Sequence, residues 1–558
     1  MILSRFFRVE PKGVHQAALL LASTSIANGI LGLVRDRMLA GTYGASRALD
    51  VYYAAFRIPD FIFSLSLFFV ASTAFIPLFI DHKNRSPREA QDFFDTVFTV
   101  FVITIIAMIA LAYFLLPVLI PKIVPGFDAE ALARTLALTR IMLLSPLLLG
   151  ASNLVSSIIQ SSKKFFTYAL TPIMYNGGII FGILVLAPRF GLSGLAYGVT
   201  LGAALHFLVQ VPTLVGLRAV PRFRLIMRTN PFQVMSYSFP RASALSVNQL
   251  TLLVLTGIAS TLGTGAIAIF NLSSNLYALP IVIIGLSYSV ASFPTMAELA
   301  LREEKSLFFE HVLTGTRHIL FWTMPITGLV IVLRAHIVRL ILGVGSFAWI
   351  DTHLTIASLF VFSFAIVSQS LVTLFVRAYH ALGRVREPVV YNIIAALTTI
   401  VIAFCAVYVM QRSPAFELAF ARLFHVRIEN LPNIIFLSLP FAFSVGTLVN
   451  AVLLGVTIFS LNGRKEIHEL WVSARAIFLV TLLLSATAYG VLKIEGPYFG
   501  LTTVLGVLVQ GGVASFAGCV VWLFASWWFR LREFQELKEA FSSRFLKKDL
   551  LGPDVEHL

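Results

Sequence analysis

Runs of about 20 apolar residues recur along this chain from one end to the other. At 1.5 Å rise per residue, each is long enough to cross a hydrocarbon core of about 30 Å as a helix. In lipid the backbone must satisfy its own hydrogen bonds, and a helix does so within one segment. Fourteen runs can be delimited, at approximately 14–40, 50–80, 91–120, 130–160, 165–187, 192–217, 232–262, 265–300, 306–342, 352–382, 387–411, 432–461, 470–493 and 499–529. Hydrophobic residues make up 58% of the 558 and charged residues only 12%, which excludes an ordinary soluble globule. The reading is an all-α polytopic membrane protein with about 14 transmembrane helices. Pro59, Pro172, Pro280, Pro325 and Pro388 lie within or at the ends of spans and predict bends.

In a soluble chain a net charge of +15 would point to nucleic acid. Here Lys and Arg sit in short segments between the apolar runs, so no nucleic-acid partner is expected. With the N-terminus inside, the inner segments are the N-terminal lead, 81–89, 161–164, 216–228, 301–306, 383–387, 462–466 and the tail from Arg530. They hold 24 Lys and Arg, against seven in the opposite set. The positive-inside rule then predicts cytoplasmic termini and an even number of spans. In the tail, Phe534, Leu537, Phe541 and Phe545 recur at helical spacing, which predicts a basic amphipathic helix at the inner leaflet. Segment 411–432 contains F-E-L-A-F-A-R-L-F and predicts a short amphipathic helix on the outer surface.

Internal matches suggest two copies of one unit. Pro172 to Asn176, P-I-M-Y-N, recurs as P-V-V-Y-N at Pro388 to Asn392, an offset of 216 residues. Gly44-Ala45 precedes Pro59 by the same interval as Gly265-Ala266 precedes Pro280, an offset of 221 residues. Two parallel six-span repeats follow, with two spans left over. The expected organisation is an N-terminal lobe over 1–228, a C-terminal lobe over 229–466, two additional helices over 467–530 and a cytoplasmic tail over 531–558.

The sequence contains no phosphate-binding Gly-rich loop, no H-E-x-x-H and no clustered Cys/His set. Cys405 and Cys519 fall inside apolar runs and read as packing residues. His206 in the sixth span reads as a structural hydrogen-bonding histidine or a proton-linked group. No enzyme constellation is visible, and no cofactor is expected.

The charges that stand out lie between Gly29 and Pro77. Arg35-Asp36-Arg37, Asp50 and Arg57 sit inside or at the edge of membrane-grade sequence. Ionisable groups there are costly and by default mark a wet functional cavity, although the triplet also reads as a headgroup anchor. Asp50 and Arg57 are seven apart and share a helical stripe, and Arg57 is within pairing distance of Asp60. Arginine's planar fork suits phosphate, so Arg35 and Arg57 fit an anionic head group such as a diphosphate. Asp50 would keep the arginines paired while the site is empty and help to release what they bind. Asn271, Ser273, Ser274 and Asn275 could contact a sugar or amide, or act as polar glue between helices.

The run Arg35 to Pro59, R-D-R-M-L-A-G-T-Y-G-A-S-R-A-L-D-V-Y-Y-A-A-F-R-I-P, resembles the signature of the MurJ/MviN family. These are lipid II flippases of bacterial peptidoglycan synthesis, in the multidrug/oligosaccharidyl-lipid/polysaccharide exporter superfamily. Ala74 to Pro77, Pro125 to Phe127, Pro172 with Asn176, and Pro280 with Pro294 are supporting matches. The resemblance implies two six-helix lobes in a V around a cationic cavity, with two C-terminal helices forming a groove for a polyprenyl tail. It implies a bacterial cytoplasmic-membrane location and alternating-access transport of a polyprenyl-diphosphate-linked disaccharide-pentapeptide. Coupling to Na+, H+ or the membrane potential is implied in place of ATP, and other cell-wall synthesis proteins are expected partners. Arg35, Asp36 and Asp50 match functionally important family positions, Arg57 a commonly basic one, and Asn275 stands at the second-lobe arginine of the cavity. Gly29 and Phe63 stand where polar or charged residues are expected. A flippase for another lipid-linked glycan or amphiphile, or a non-transporting cell-wall scaffold, are the alternatives.

Overall fold

The computed structural model describes residues 14–70, 72–226, 232–423, 434–463, 465–496, 498 and 503–545. Helices account for nearly all of them, and no strand occurs among them. Twelve of these helices are long and apolar enough to cross a membrane. Two further 30-residue helices, Val14–Tyr43 and Phe232–Thr261, fall on the first and seventh apolar runs. The chain is therefore an all-α, multi-pass membrane protein, and a count of about fourteen spans agrees with it.

Prolines shape the spans locally. The second apolar run is interrupted at Phe56, between helices Arg47–Ala55 and Arg57–Val70. Pro59 has no N–H to offer the Ala55 carbonyl. The Thr139 hydroxyl donates to that carbonyl instead, at 3.4 Å. The fourth run breaks likewise at Leu143, shortly before Pro146, into Ala129–Met142 and Leu144–Ser161. After Pro280 the eighth run continues as a wider π-helical turn, Ile281–Leu286. Segment Pro414–Leu423 is helical as expected from its pattern, and the tail forms helix Arg532–Phe545. The N-terminal lead, residues 424–432 and the end of the tail lie outside the described residues.

The chain divides into two compact units. One comprises Met1–Leu276, Ile341–Ser358 and Val385–Gly446. Within it, helices Phe165–Phe181 and Leu192–Leu208 meet along a glycine seam. A Cβ on Gly182 would lie 2.5 Å from the Gly198 Cα, so only hydrogen fits there. Three turns of this unit also meet: the Ser346 amide donates to the Gly41 carbonyl at 2.8 Å, and Asp351 accepts from the Ala45 amide at 3.1 Å. Gly265 has φ +86°, and a Cβ there would lie 2.2 Å from the Ala45 carbonyl oxygen. The Gly44-Ala45 and Gly265-Ala266 turns, paired by the sequence offset, thus pack directly on each other.

The other unit comprises Tyr277–Leu340, Leu359–Arg384 and Thr447–Leu558. Its core includes Leu320, Phe321, Ile477, Val480, Leu484 and Trp522, with Leu531 and Phe534 anchoring the start of the tail helix.

Candidate functional site

A cavity of about 190 Å³ lies within the first unit, lined by Arg35, Leu39, Tyr52, Tyr53, Phe56, Arg57, Asp60, Tyr175, Ile179, Asn271 and Asn275. Helix Val14–Tyr43 supplies Arg35, helix Arg57–Val70 supplies Arg57 and Asp60, and helix Ala266–Pro280 supplies the two asparagines.

Arg35 is held on two sides. Its Nε and Nη2 donate to Asp36 Oδ1 at 3.0 and 2.8 Å, and its Nη1 donates to Asn176 Oδ1 at 3.1 Å. Asn176 in turn donates to Asn28 Oδ1 at 2.9 Å. The second Asp36 oxygen accepts from Asn275 Nδ2 at 2.9 Å. Asp36 is only 2% exposed and sits behind the arginine, orienting it. With its carboxylate partner in place, the guanidinium still presents an edge to the cavity, with 22% of the side chain accessible.

Arg57 is less fully matched. Its Nη2 donates to Asn271 Oδ1 at 2.7 Å, while Asn271 donates onward to the Ile267 carbonyl at 2.7 Å. The Arg57 Nε is buried with no hydrogen-bond partner. Asp60, one turn further along the same helix, lines the same cavity. Formally, Asp36 and Asp60 balance the two guanidiniums. An entering anion would meet arginines that are already oriented, Arg35 by Asp36 and Arg57 by Asn271, and an unfilled donor on Arg57.

The structure thus brings together Arg35, Asp36, Arg57 and Asn275. Asp50 it places elsewhere. That carboxylate is fully buried and accepts from the amides of Gly265 and Ala268 at 2.7 and 2.9 Å. Asp50 and Arg57, seven apart, both meet helix Ala266–Pro280, as a shared stripe predicts, but Asp50 is consumed by amides at its start while Arg57 reaches Asn271 and the cavity. Asp36 and Asp60 occupy the positions of arginine partners that the sequence reading gave to Asp50. Phe63 lines a separate, much smaller void beside Asp60. Tyr52, Tyr53 and Tyr175 also line the cavity. Sequence reading passed over them, although Tyr175 stands in the repeated Y-N pair. His206 shares a hydrogen bond with Ser152 at 2.6 Å, and Gln210 bonds the same hydroxyl, in a polar cluster outside the cavity lining.

Comparison with known proteins bears on what such a cavity serves. The family model for Lipid II flippase MurJ matches residues 39–509. The chain belongs to the lipid II flippase MurJ family. Among curated MurJ relatives, the lipid II flippase of Burkholderia cenocepacia is 26% identical over 295 residues, covering 51% of this chain and 57% of that one. The match thus spans little more than half the length of that relative. The probable lipid II flippase of Thermotoga maritima is 29% identical over 368 residues, 64% of this chain and 72% of that one. Of solved structures, a MurJ in an inward closed conformation superposes with TM-score 0.71 at 22% identity, covering 92% of this chain and 99% of that chain. An inward-facing multidrug resistance MATE family transporter gives 0.61 at 14% identity, covering 79% and 95%. These two structural likenesses establish a fold shared with MurJ and with MATE transporters. As a member of the MurJ family the chain is a membrane transport protein, not an enzyme.

Proposed function

We propose that this chain is a flippase that moves a polyprenyl-diphosphate-linked peptidoglycan precursor, lipid II, from the cytoplasmic to the outer leaflet by alternating access. The observation that carries this reading is the pair of arginines, Arg35 and Arg57, lining one cavity inside a multi-pass chain of the MurJ family. Arg35 and Arg57 bind the diphosphate, and Asp36 and Asp60 take the guanidiniums back when it leaves. Asn271 and Asn275 contact the sugar or peptide. Such exchange gives a site that binds firmly enough to load and weakly enough to release. The lobes over 1–228 and 229–466 rock about the site, and the helices over 467–530 carry the lipid tail. The chain resides in the bacterial cytoplasmic membrane with both termini inside, supported by the Lys/Arg asymmetry of its loops. Na+, H+ or the membrane potential drives the cycle, and other cell-wall synthesis proteins are partners.

A second reading, a flippase for a different lipid-linked glycan, is favoured by one observation: Asn275 is committed to Asp36 and adds no positive charge to the cavity. Reconstitution in liposomes separates the two. Flipping of fluorescent lipid II, lost in Arg35→Ala, supports the first reading. Flipping of another polyprenyl-diphosphate sugar without lipid II favours the second. Normal growth of a conditional flippase mutant carrying Arg35→Ala would count against transport altogether and favour a scaffold.

A further inference from the structure

The second compact unit holds a cavity of about 290 Å³ that the proposed transport cycle does not use. It forms where helix Lys465–Glu495, the turn after Trp528 and helix Arg532–Phe545 meet Arg317 of helix Lys305–Ile341. Arg317 and Glu533 are its buried charges, with side chains 8% and 1% exposed. Arg317 Nε donates to Glu533 Oε1 at 2.7 Å, and the Ser473 hydroxyl donates to the same oxygen. Two polar atoms of the pair remain unmet. Arg317 Nη2 is buried with no hydrogen bond, with Glu536 Oε1 3.5 Å away. Glu533 Oε2 is buried without any partner. Unmet buried polar atoms are rare and each calls for an explanation. At this cavity one atom needs an acceptor and the other a donor.

The rim continues the pattern. Arg530 and Arg532 line the cavity, and Arg530 is fixed by a left-handed backbone, φ 51°. Arg532 is only loosely paired with Glu469, at 3.8 Å. Three arginines stand against Glu469 and Glu533 in the lining. Trp527, Trp528 and Phe529, at the adjoining end of the Val504–Trp528 span, are 55%, 66% and 52% exposed. Exposed aromatic residues at a span end mark the level of lipid headgroups.

We infer that this cavity binds a phospholipid headgroup that joins a phosphodiester to a hydrogen-bond donor, an ammonium or a hydroxyl. The phosphodiester lies against Arg317 Nη2, Arg530 and Arg532, where charge-assisted bonds to guanidinium are strong. The donor meets Glu533 Oε2 and Glu469. A choline headgroup has the phosphate but no donor.

The purified full chain in detergent, titrated with phosphatidylcholine, phosphatidylethanolamine or phosphatidylglycerol and examined by native mass spectrometry, tests this. Expected is one retained phosphatidylethanolamine or phosphatidylglycerol per chain, bound about tenfold tighter than phosphatidylcholine. Arg530→Asn with Arg532→Gln changes exposed side chains, and Asn tolerates the left-handed turn. The pair should lower retention of phosphatidylethanolamine and phosphatidylglycerol about tenfold or more without lowering the melting temperature of lipid-free protein. Equal retention of phosphatidylcholine, or retention unchanged in the double variant, overturns the proposal. So does equal thermal stabilisation by inorganic phosphate or soluble glycerophosphoethanolamine, which would assign the cavity to free phosphate.

Discussion

Asp50 caps a helix that begins just after Gly265, 215 residues further along the chain. Its carboxylate meets the Gly265 and Ala268 amides, two donors that the start of helix Ala266–Pro280 cannot satisfy for itself. The negative charge also lies at the positive end of that helix. Asp50→Ala leaves both donors buried and unmet, a loss of about 2 kcal/mol. Asp50→Asn keeps an acceptor and should lose about half as much. Thermal unfolding of the purified variants checks the order. Per folded molecule, flipping by Asp50→Asn should stay near wild type, because Asp50 does not line the cavity.

Arg57 should behave differently. Its Nη2 is committed to Asn271 and its Nε has no partner, so a ligand gains a bond there that the empty protein lacks. Arg57→Ala and Arg57→Lys are both expected to lower lipid II flipping in liposomes by about tenfold or more. Lysine keeps the charge but lacks the fork. Arg134→Gln, which removes only an exposed pair with Glu130, should leave the rate unchanged.

Gly265→Ala is expected to be strongly damaging. The backbone is left-handed, and the new Cβ would lie 2.2 Å from the Ala45 carbonyl oxygen. Strain and clash together cost about 3 kcal/mol or more. Size-exclusion profiles should show a large loss of monodisperse protein. Gly177→Ala, with open space around its Cβ position, serves as the control and should be neutral.

The tail helix carries a pH dependence. Burial pushes the Glu533 carboxyl up, but hydrogen bonds from Ser473 and Arg317 outweigh it and hold the group below the ordinary glutamate value. A folded pKa below the unfolded one stabilises the docked helix above the unfolded pKa, about 4.3. That contribution disappears as pH falls through the lower folded value. Protection factors of Arg532–Phe545 amides should therefore be flat from about pH 8 to 5 and fall below about pH 4. In Glu533→Gln the buried Arg317 loses its nearer counter-charge and keeps only the half-exposed Glu536 at 3.5 Å, so the helix should be looser already at pH 7. His318 and Glu536, paired at 2.8 Å beside this site, remain in both proteins.

Span positions were legible because hydropathy over about 20 residues is a local property. Arg35, Asp36 and Arg57 were legible as a site because charge in apolar sequence is costly wherever it points. The direction in which Asp50 points was not. It depends on amides more than 200 residues away that no local pattern reveals. Asn28 and Asn176 read as ordinary polar residues in separate spans until the fold joins them through Arg35. The match of Gly44-Ala45 with Gly265-Ala266 was visible as repetition. That the two turns rest on each other is a tertiary fact.

The Asp50 cap also bears on how the protein is made. At about 5 to 20 residues per second, the Gly265 and Ala268 amides leave the ribosome tens of seconds after Asp50 does. Asn271, the partner of Arg57, is equally late. During that interval the early hairpin enters the membrane carrying charges whose lasting partners do not yet exist. Arg47, whose Nη1 lies 4.0 Å from Asp50, is the one cation already synthesised beside it. Water at the insertion machinery must serve for the rest, so this hairpin should be among the last parts of the first unit to settle.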